Sequence, residues 1–157
     1  MKKLAVMPGS YDPVTKGHVE IIRRAASIFE GCEVVVMNNW FKHSHFPLEE
    51  RVAFCRAALA HLSNVTVVGS EALLYEYLAN RPDAVLVKGL RNGEDLLWER
   101  EQTAYNFPRC GVETLYLDAG DAWQGVSSTL VRERLSDGGD WESLVPEAVV
   151  PLLRDKK

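Results

Sequence analysis

Gly9-Ser10-Tyr11-Asp12-Pro13-Val14-Thr15-Lys16-Gly17-His18 separates two different apolar patterns, and its reading decides the fold. Before it, Lys3-Leu4-Ala5-Val6-Met7 is a short apolar run stopped by Pro8-Gly9. Such a length and such a stop favour a buried strand. After it, Val19, Ile21, Ile22, Ala25, Ala26, Ile28 and Phe29 recur at helical spacing. The stretch is therefore a strand-to-helix turn opening an α/β unit. Gly9 and Gly17 allow close approach of backbone to a ligand. A helix start leaves N–H groups unpaired and carries partial positive charge, which suits phosphate. His18 stands at that start with a ring N–H to offer.

Working outward, the helix ends near Phe29-Glu30-Gly31, with Gly31 as its C-cap. Cys32-Glu33-Val34-Val35-Val36-Met37 reads as a second strand. Strand, helix and strand at this spacing form a βαβ unit with a right-handed crossover, hence a parallel sheet. Ligands of such sheets bind beyond the carboxyl ends of the strands. A polar and aromatic loop, Asn38 onward through Trp40, Phe41, Lys42, His43 and His45, leaves from that edge. Lys42 is placed to reach an anion near His18, although composition alone favours a solvated loop lysine. His43 and His45 have no acidic or sulfur neighbour in sequence, so no metal ligand is expected there.

A helix from Leu48 to about His61 has an acidic first turn that suits its dipole. Val65-Thr66-Val67-Val68 is a third strand, and residues 71–80 a short helix whose apolar residues are expected mostly in the core. Ala84-Val85-Leu86-Val87 is a fourth strand. Lys88-Gly89-Leu90-Arg91 then follows at a carboxyl end, two cations flanking a glycine, a pattern that suits phosphate. A helix from Gly93 to about Asn106 carries Glu99, which can bind a ribose, position a lysine or simply face solvent. Residues 113–117 are a fifth strand. A glycine-containing loop to Gly125 leads into a helix capped by Ser127 or Ser128, whose N–H groups at 127–130 make a second phosphate cradle. A terminal helix over 141–153, entered at Pro146, precedes a frayed tail at 154–157.

The whole is read as one domain of 157 residues, a Rossmann-like doubly wound sheet of about five parallel strands flanked by helices. A net charge of −4 argues against nucleic acid as the main partner. Cys32, Cys55 and Cys110 are odd in number and widely spaced, so they read as reduced thiols of a cytoplasmic protein. No secretory leader and no bilayer-spanning stretch is expected.

Thr15-Lys16-Gly17-His18 is similar to the T/H-x-G-H signature of the nucleotidyltransferases related to class I aminoacyl-tRNA synthetases. With the blocks at 8–18, 46–52, 88–91 plus Glu99, and 126–132, the chain resembles the bacterial phosphopantetheine adenylyltransferase family over nearly its whole length. That resemblance implies ATP and 4′-phosphopantetheine as substrates, and dephospho-CoA and pyrophosphate as products. It implies His18, Lys42 and Arg91 as catalytic residues. ATP would meet Ser10, Tyr11, His18, Gly89, Leu90, Arg91, Glu99 and residues Trp123, Gln124, Gly125, Val126, Ser127, Ser128 and Thr129. The acceptor would meet Ser10, Lys42, Leu74 and Lys88. No protein metal ligand is implied, and Mg2+ would accompany the ATP phosphates. A hexamer and feedback by coenzyme A are implied as well. The chain departs from the family at Ser10, Lys88, Thr129 and the Asn38-Asn39-Trp40-Phe41 segment, all at the expected site. Two other readings stay open: a related enzyme acting on nicotinamide mononucleotide or glycerol 3-phosphate, and a non-catalytic nucleotide sensor.

Overall fold

The computed structural model describes residues 3–156, so Met1, Lys2 and Lys157, the ends of the expected leader-free start and frayed tail, lie outside the described residues. Five strands form one parallel sheet in the order β3-β2-β1-β4-β5. They are β1 Leu4–Gly9, β2 Gly31–Met37, β3 Val65–Ser70, β4 Ala84–Leu90 and β5 Thr114–Asp118. The helices are α1 Lys16–Ile28, α2 Leu48–Leu59, α3 Leu74–Leu78, α4 Gly93–Cys110, α5 Ser128–Asp137 and α6 Val150–Arg154. One apolar cluster joins the sheet to α1, α2, α5 and α6 through Ala5, Met7, Ile22, Val34, Val36, Phe54, Val131 and Leu153. Another, with Val6, Val35, Leu78, Leu86 and Val112, lies on the opposite face under α3 and α4. The β-strands point alternate side chains to opposite faces, so both faces of one strand feed a core. The expected doubly wound architecture is present.

Several expected boundaries move, each for a local reason. β1 runs through Pro8-Gly9 rather than stopping before them. Pairing of β1 with β2 continues to Gly9↔Val36, whereas pairing with β4 ends at Val6↔Leu86. Proline has no N–H to give to a ladder. The two central strands thus part at Pro8, at the point where strand order reverses. Gly31 is not a C-cap: α1 ends at Phe29 in extended backbone, and Gly31 opens β2. β4 extends to Leu90, so Lys88 and Gly89 sit within the strand rather than after it. α4 runs on past Asn106 to Cys110 and ends at Gly111, whose φ of 69° is a left-handed cap. The terminal helix is broken into 3-10 turns at Glu142–Leu144 and Glu147–Val149 and the short α6, because Pro146 and Pro151 interrupt the ladder. The tail is tied, not frayed, as far as Lys156: Arg154 pairs with Glu142 and Lys156 with Glu50. Of the apolar residues of the short helix, only Leu78 is buried.

Gly89 fixes the spacing of β4 and α1. A Cβ there would stand 2.9 Å from Ile21 Cγ1. Gly89→Ala should therefore lower the free energy of unfolding by about 1–3 kcal/mol through overpacking, read as a shift of the urea midpoint.

Candidate active site

The turn after β1 and the start of α1 form the centre of the site. Thr15 is the N-cap of α1, and its hydroxyl accepts the His18 N–H at 3.3 Å. In return the Thr15 N–H donates to His18 Nδ1 at 3.0 Å. This is a capping box with histidine in the place usually held by Glu or Gln. Because Nδ1 accepts, the proton of the neutral ring sits on Nε2, which has no partner among the described residues. The Tyr11 ring lies edge-on to His18 with centroids 4.9 Å apart. Desolvation, with the Arg91 charge adding, pulls the His18 pKa down to about 4. His18 is thus a neutral N–H donor at neutral pH.

Tyr11 is turned inward. Its hydroxyl donates to the Met7 carbonyl at 2.9 Å, and burial pushes its pKa upward. The residue is 6% exposed, so it offers a ligand little surface, and its backbone has a φ of 44°. A Cβ on Gly9 would stand 2.9 Å from the Tyr11 ring, so Gly9 makes room for that ring rather than for a ligand. Gly17 faces Trp123, whose Cβ is 3.5 Å from the position of an added Cβ, and Lys16 Nζ lies 5.9 Å from the centroid of the indole. The segment at 123–127 therefore lies over the first turn of α1.

α5 begins beside that turn. Ser128 Oγ donates to the Pro13 carbonyl at 2.8 Å, and Arg132 Nη1 donates to the Asp12 carbonyl at 2.7 Å. Ser127 is the N-cap, and its hydroxyl takes the Leu130 N–H at 3.0 Å. The expected cradle over 127–130 is accordingly smaller: the Leu130 N–H is already used. Helix geometry still leaves the Ser128 and Thr129 N–H groups without an intrahelical partner. Two helix starts, of α1 and α5, thus converge on one place. Their dipoles both favour an anion there.

The cations divide between the two faces of the sheet. Arg91 follows β4, pairs with Asp95 at 3.1 Å and reaches the Val126 carbonyl at 3.5 Å, close enough for its charge to act on His18. Lys88 points to the other face and pairs with Glu99 at 2.9 Å, both about one-fifth exposed at 18%. The pair lines a small hollow with Leu74, Thr103 and Asn106. Lys42 is exposed and lines a cleft of about 370 Å³ with Trp40, Phe46, Leu48 and Glu71. His18 and Arg91 do not line that cleft. The structure thus brings Ser10, His18, Arg91, Trp123 and the start of α5 to one mouth. Lys42 stands on the β2 side of it, and Leu74, Lys88, Leu90 and Glu99 on the α3 and α4 face.

Two residues of the motif blocks were given no role by sequence reasoning. Arg51, only 1% exposed, sends Nε to the Phe46 carbonyl and Nη1 to the Ser10 and Met37 carbonyls, each at 2.9 Å. Its Nη2 donates to Asn38 Oδ1. The signal was available: an arginine next to Val52, in a helix that turns Val52, Phe54 and Cys55 inward. Asp12, also buried, accepts the His45 and Phe46 N–H groups at 2.7 and 3.0 Å. Two of the thiols are buried, and burial pushes Cys32 up to about 11 and Cys55 up to about 12. Among the described residues no three His, Cys, Asp or Glu side chains converge to hold a metal, and no helix is long and apolar enough to cross a membrane.

With this geometry in place, known proteins give the comparison. A family model described as cytidylyltransferase-like matches residues 6–134. A phosphopantetheine adenylyltransferase from a Nocardioides strain is 44% identical over 145 residues, covering 92% of this chain and 91% of that protein. One of the same name from Stenotrophomonas maltophilia is 39% identical, covering 98% of this chain and 91% of that protein. The chain belongs to the phosphopantetheine adenylyltransferase family. A solved structure described as a candidate nicotinate-nucleotide adenylyltransferase from Vibrio parahaemolyticus matches with a TM-score of 0.66 at 16% identity, over 98% of this chain and 99% of that one. At that identity the likeness shows the fold, which is the Rossmann-like fold of nucleotidyltransferases.

The depressed His18 pKa makes stability pH-dependent. The unfolded ring binds a proton near pH 6.5 and the folded ring only near about 4. The contribution of His18 is full above pH 6.5 and is lost as pH falls from there toward 4. His18→Gln should flatten that part of the stability–pH curve, read by urea unfolding from pH 4 to 7. Arg51→Met should cost about 3 kcal/mol or more, since it strands several buried carbonyl oxygens; the same titration at pH 7 measures it.

Proposed function

We propose that this chain transfers the adenylyl group of ATP to 4′-phosphopantetheine, giving dephospho-CoA and pyrophosphate in coenzyme A biosynthesis. The observation that carries the reading is His18. It is a neutral imidazole with its proton held on Nε2, set where two helix starts meet. The relatives that share most of the chain carry the name of that activity.

In this reading the triphosphate lies across the starts of α1 and α5, with the segment at 123–129 wrapping it. Gly89, Leu90, Arg91 and Glu99 meet ATP, and Ser10 and Tyr11 stand between the substrates. Lys42 and Lys88 hold the acceptor phosphate, and Leu74 touches its organic arm. An oxygen of the acceptor phosphate forms a bond to the α-phosphorus while the bond from that phosphorus to the departing pyrophosphate breaks. The acceptor is already ionised at neutral pH, so no protein nucleophile and no general base is required. His18 Nε2–H donates to an α-phosphate oxygen, where charge builds in the transition state. Arg91 and Lys42 balance the converging anions. Among the described residues no three His, Cys, Asp or Glu side chains converge; a divalent ion would enter with substrate, as the magnesium complex of ATP, and would screen the phosphate charge.

The reading extends to a homo-oligomer, hexameric as in the resemblance, with coenzyme A as a feedback ligand. Exposed Leu97 and Trp98 on α4 are in keeping with burial between copies. Three free thiols are in keeping with a cytoplasmic setting.

Pyrophosphate release from ATP and magnesium tests the reading, with 4′-phosphopantetheine, nicotinamide mononucleotide and glycerol 3-phosphate as parallel acceptors. Release with phosphopantetheine alone is expected. His18→Ala should lower kcat about 100- to 1,000-fold, the usual effect of removing one transition-state donor. Release with a different acceptor only would move the substrate, and no release with any acceptor would overturn the reading.

A further inference from the structure

The reaction as derived leaves one buried carboxylate without a part. Asp12 sits in the turn after β1 and is 6% exposed. Its Oδ2 takes the His45 N–H at 2.7 Å and its Oδ1 the Phe46 N–H at 3.0 Å. Those two residues close the loop that carries Lys42. The opening of the same loop is held by Arg51, through the Met37 carbonyl and Asn38 Oδ1. The loop is therefore clamped at both ends, one clamp cationic and one anionic. Between the clamps the chain folds on itself at Asn39, which takes the Phe41 N–H on Oδ1 and the Lys42 N–H on its carbonyl. Lys42 then projects from a short span whose ends are fixed.

Asp12 is itself held from the other side. Arg132 Nη1 donates to its carbonyl at 2.7 Å and lies 3.9 Å from Oδ2. Arg132 Nη2 meets Thr129 Oγ1 at 3.2 Å, in the first turn of α5. A continuous set of contacts thus runs from the α5 start, through Arg132 and Asp12, to the base of the Lys42 loop. Charge-assisted bonds of this kind are short and directional.

We propose that Asp12 is a positioning residue for the acceptor: it sets Lys42 relative to the α5 start, with Arg132 holding it in place. The proposal rests on the functional reading above for the identity of the acceptor. The physical demand is plain. Two anions must meet with their reacting atoms in register, and a misplacement of about 1 Å can cost about 100-fold in rate. Asp12 has no need to touch either substrate. It gives the cation on one side and the helix start on the other a common reference.

The test is a double-mutant cycle on the full-length protein with Asp12→Asn and Lys42→Ala. Asparagine keeps the size and one acceptor oxygen but turns an N–H toward one of the two loop N–H groups. Asp12→Asn is expected to raise KM for the acceptor about tenfold and to leave KM for ATP within about twofold. Adding it to Lys42→Ala is expected to cost little more than Lys42→Ala alone, because contacts that act through one another are not additive. Additive effects, or equal rises in both KM values, would overturn the proposal and leave Asp12 a purely structural residue. If Asp12→Asn does not fold, Arg132→Gln probes the same chain of contacts, with a smaller rise in acceptor KM and the same non-additivity expected. If wild type turns over a different acceptor, the functional reading fails and the cycle is run on that acceptor. If it turns over none, the cycle is read on binding of inorganic phosphate.

Discussion

A guanidinium buried at the carboxyl edge of the sheet holds the site together. β1 and β2 run side by side to the pair of Gly9 and Val36, and the Ser10 and Met37 carbonyls lie just beyond that pair. Arg51 reaches both, along with the Phe46 carbonyl and Asn38 Oδ1, and satisfies four acceptors from three separate segments. A lysine, with one point of charge, has no fork with which to do this. Burial works against the Arg51 charge, and the nearby Asp12 carboxylate works for it. The charge is tolerated inside because its donors are used and a counter-charge stands close by. What results is a rigid rim: the turn that leads to His18 and the loop that bears Lys42 are fixed to one another before any ligand arrives.

Pro8 has the complementary effect on the other flank of β1. The ladder to β2 continues while the ladder to β4 stops, and the sheet opens where strand order reverses. The starts of α1 and α5 both point at this opening. Fixed backbone N–H groups cost little reorganisation when charge develops on a phosphate. His18 adds a neutral donor to the same field. A protonated imidazole would attract the substrate anions whether or not reaction had begun, which strengthens binding without lowering the barrier. A neutral N–H, directed by the Thr15 cap, acts through hydrogen-bond geometry, and geometry is what changes between ground and transition state.

Local pattern carried most of the fold. Strands and helices differ in apolar period, and the βαβ spacing leaves few topologies, so the parallel sheet and the place of His18 were legible in the chain. The failures share a cause, since each depends on residues distant in sequence. Pro8 looked like a terminator, and only the unequal neighbours of β1 show that it ends one ladder and not the other. Lys88 looked like a loop residue because β-propensity falls after Val87, at Lys88-Gly89, yet pairing with Tyr116 keeps the strand going. The terminal helix failed for the opposite reason, local breakers outweighing a helical period. Asp12 lay inside a motif block, but the N–H groups it accepts are 33 and 34 residues away, and Arg51, whose inward-facing neighbours hinted at burial, also reaches the Ser10 carbonyl 41 residues away, so spacing alone does not give their partners.

Lys88 and Glu99 show how a departure from the family pattern can be absorbed. The two groups pair at 2.9 Å on the α4 face, and neither is well solvated. In the proposed reaction this same ammonium meets the acceptor phosphate. An arginine fork in that place could hold the carboxylate with one edge and a phosphate with another. A lysine presents a compact charge on a flexible stem, so phosphate and Glu99 approach the same three N–H donors. The ion pair therefore has two consequences at once. It keeps Lys88 ordered on a face lined by Leu74 and Leu86, and in the proposed reaction it sets a competitor that the incoming phosphate has to displace.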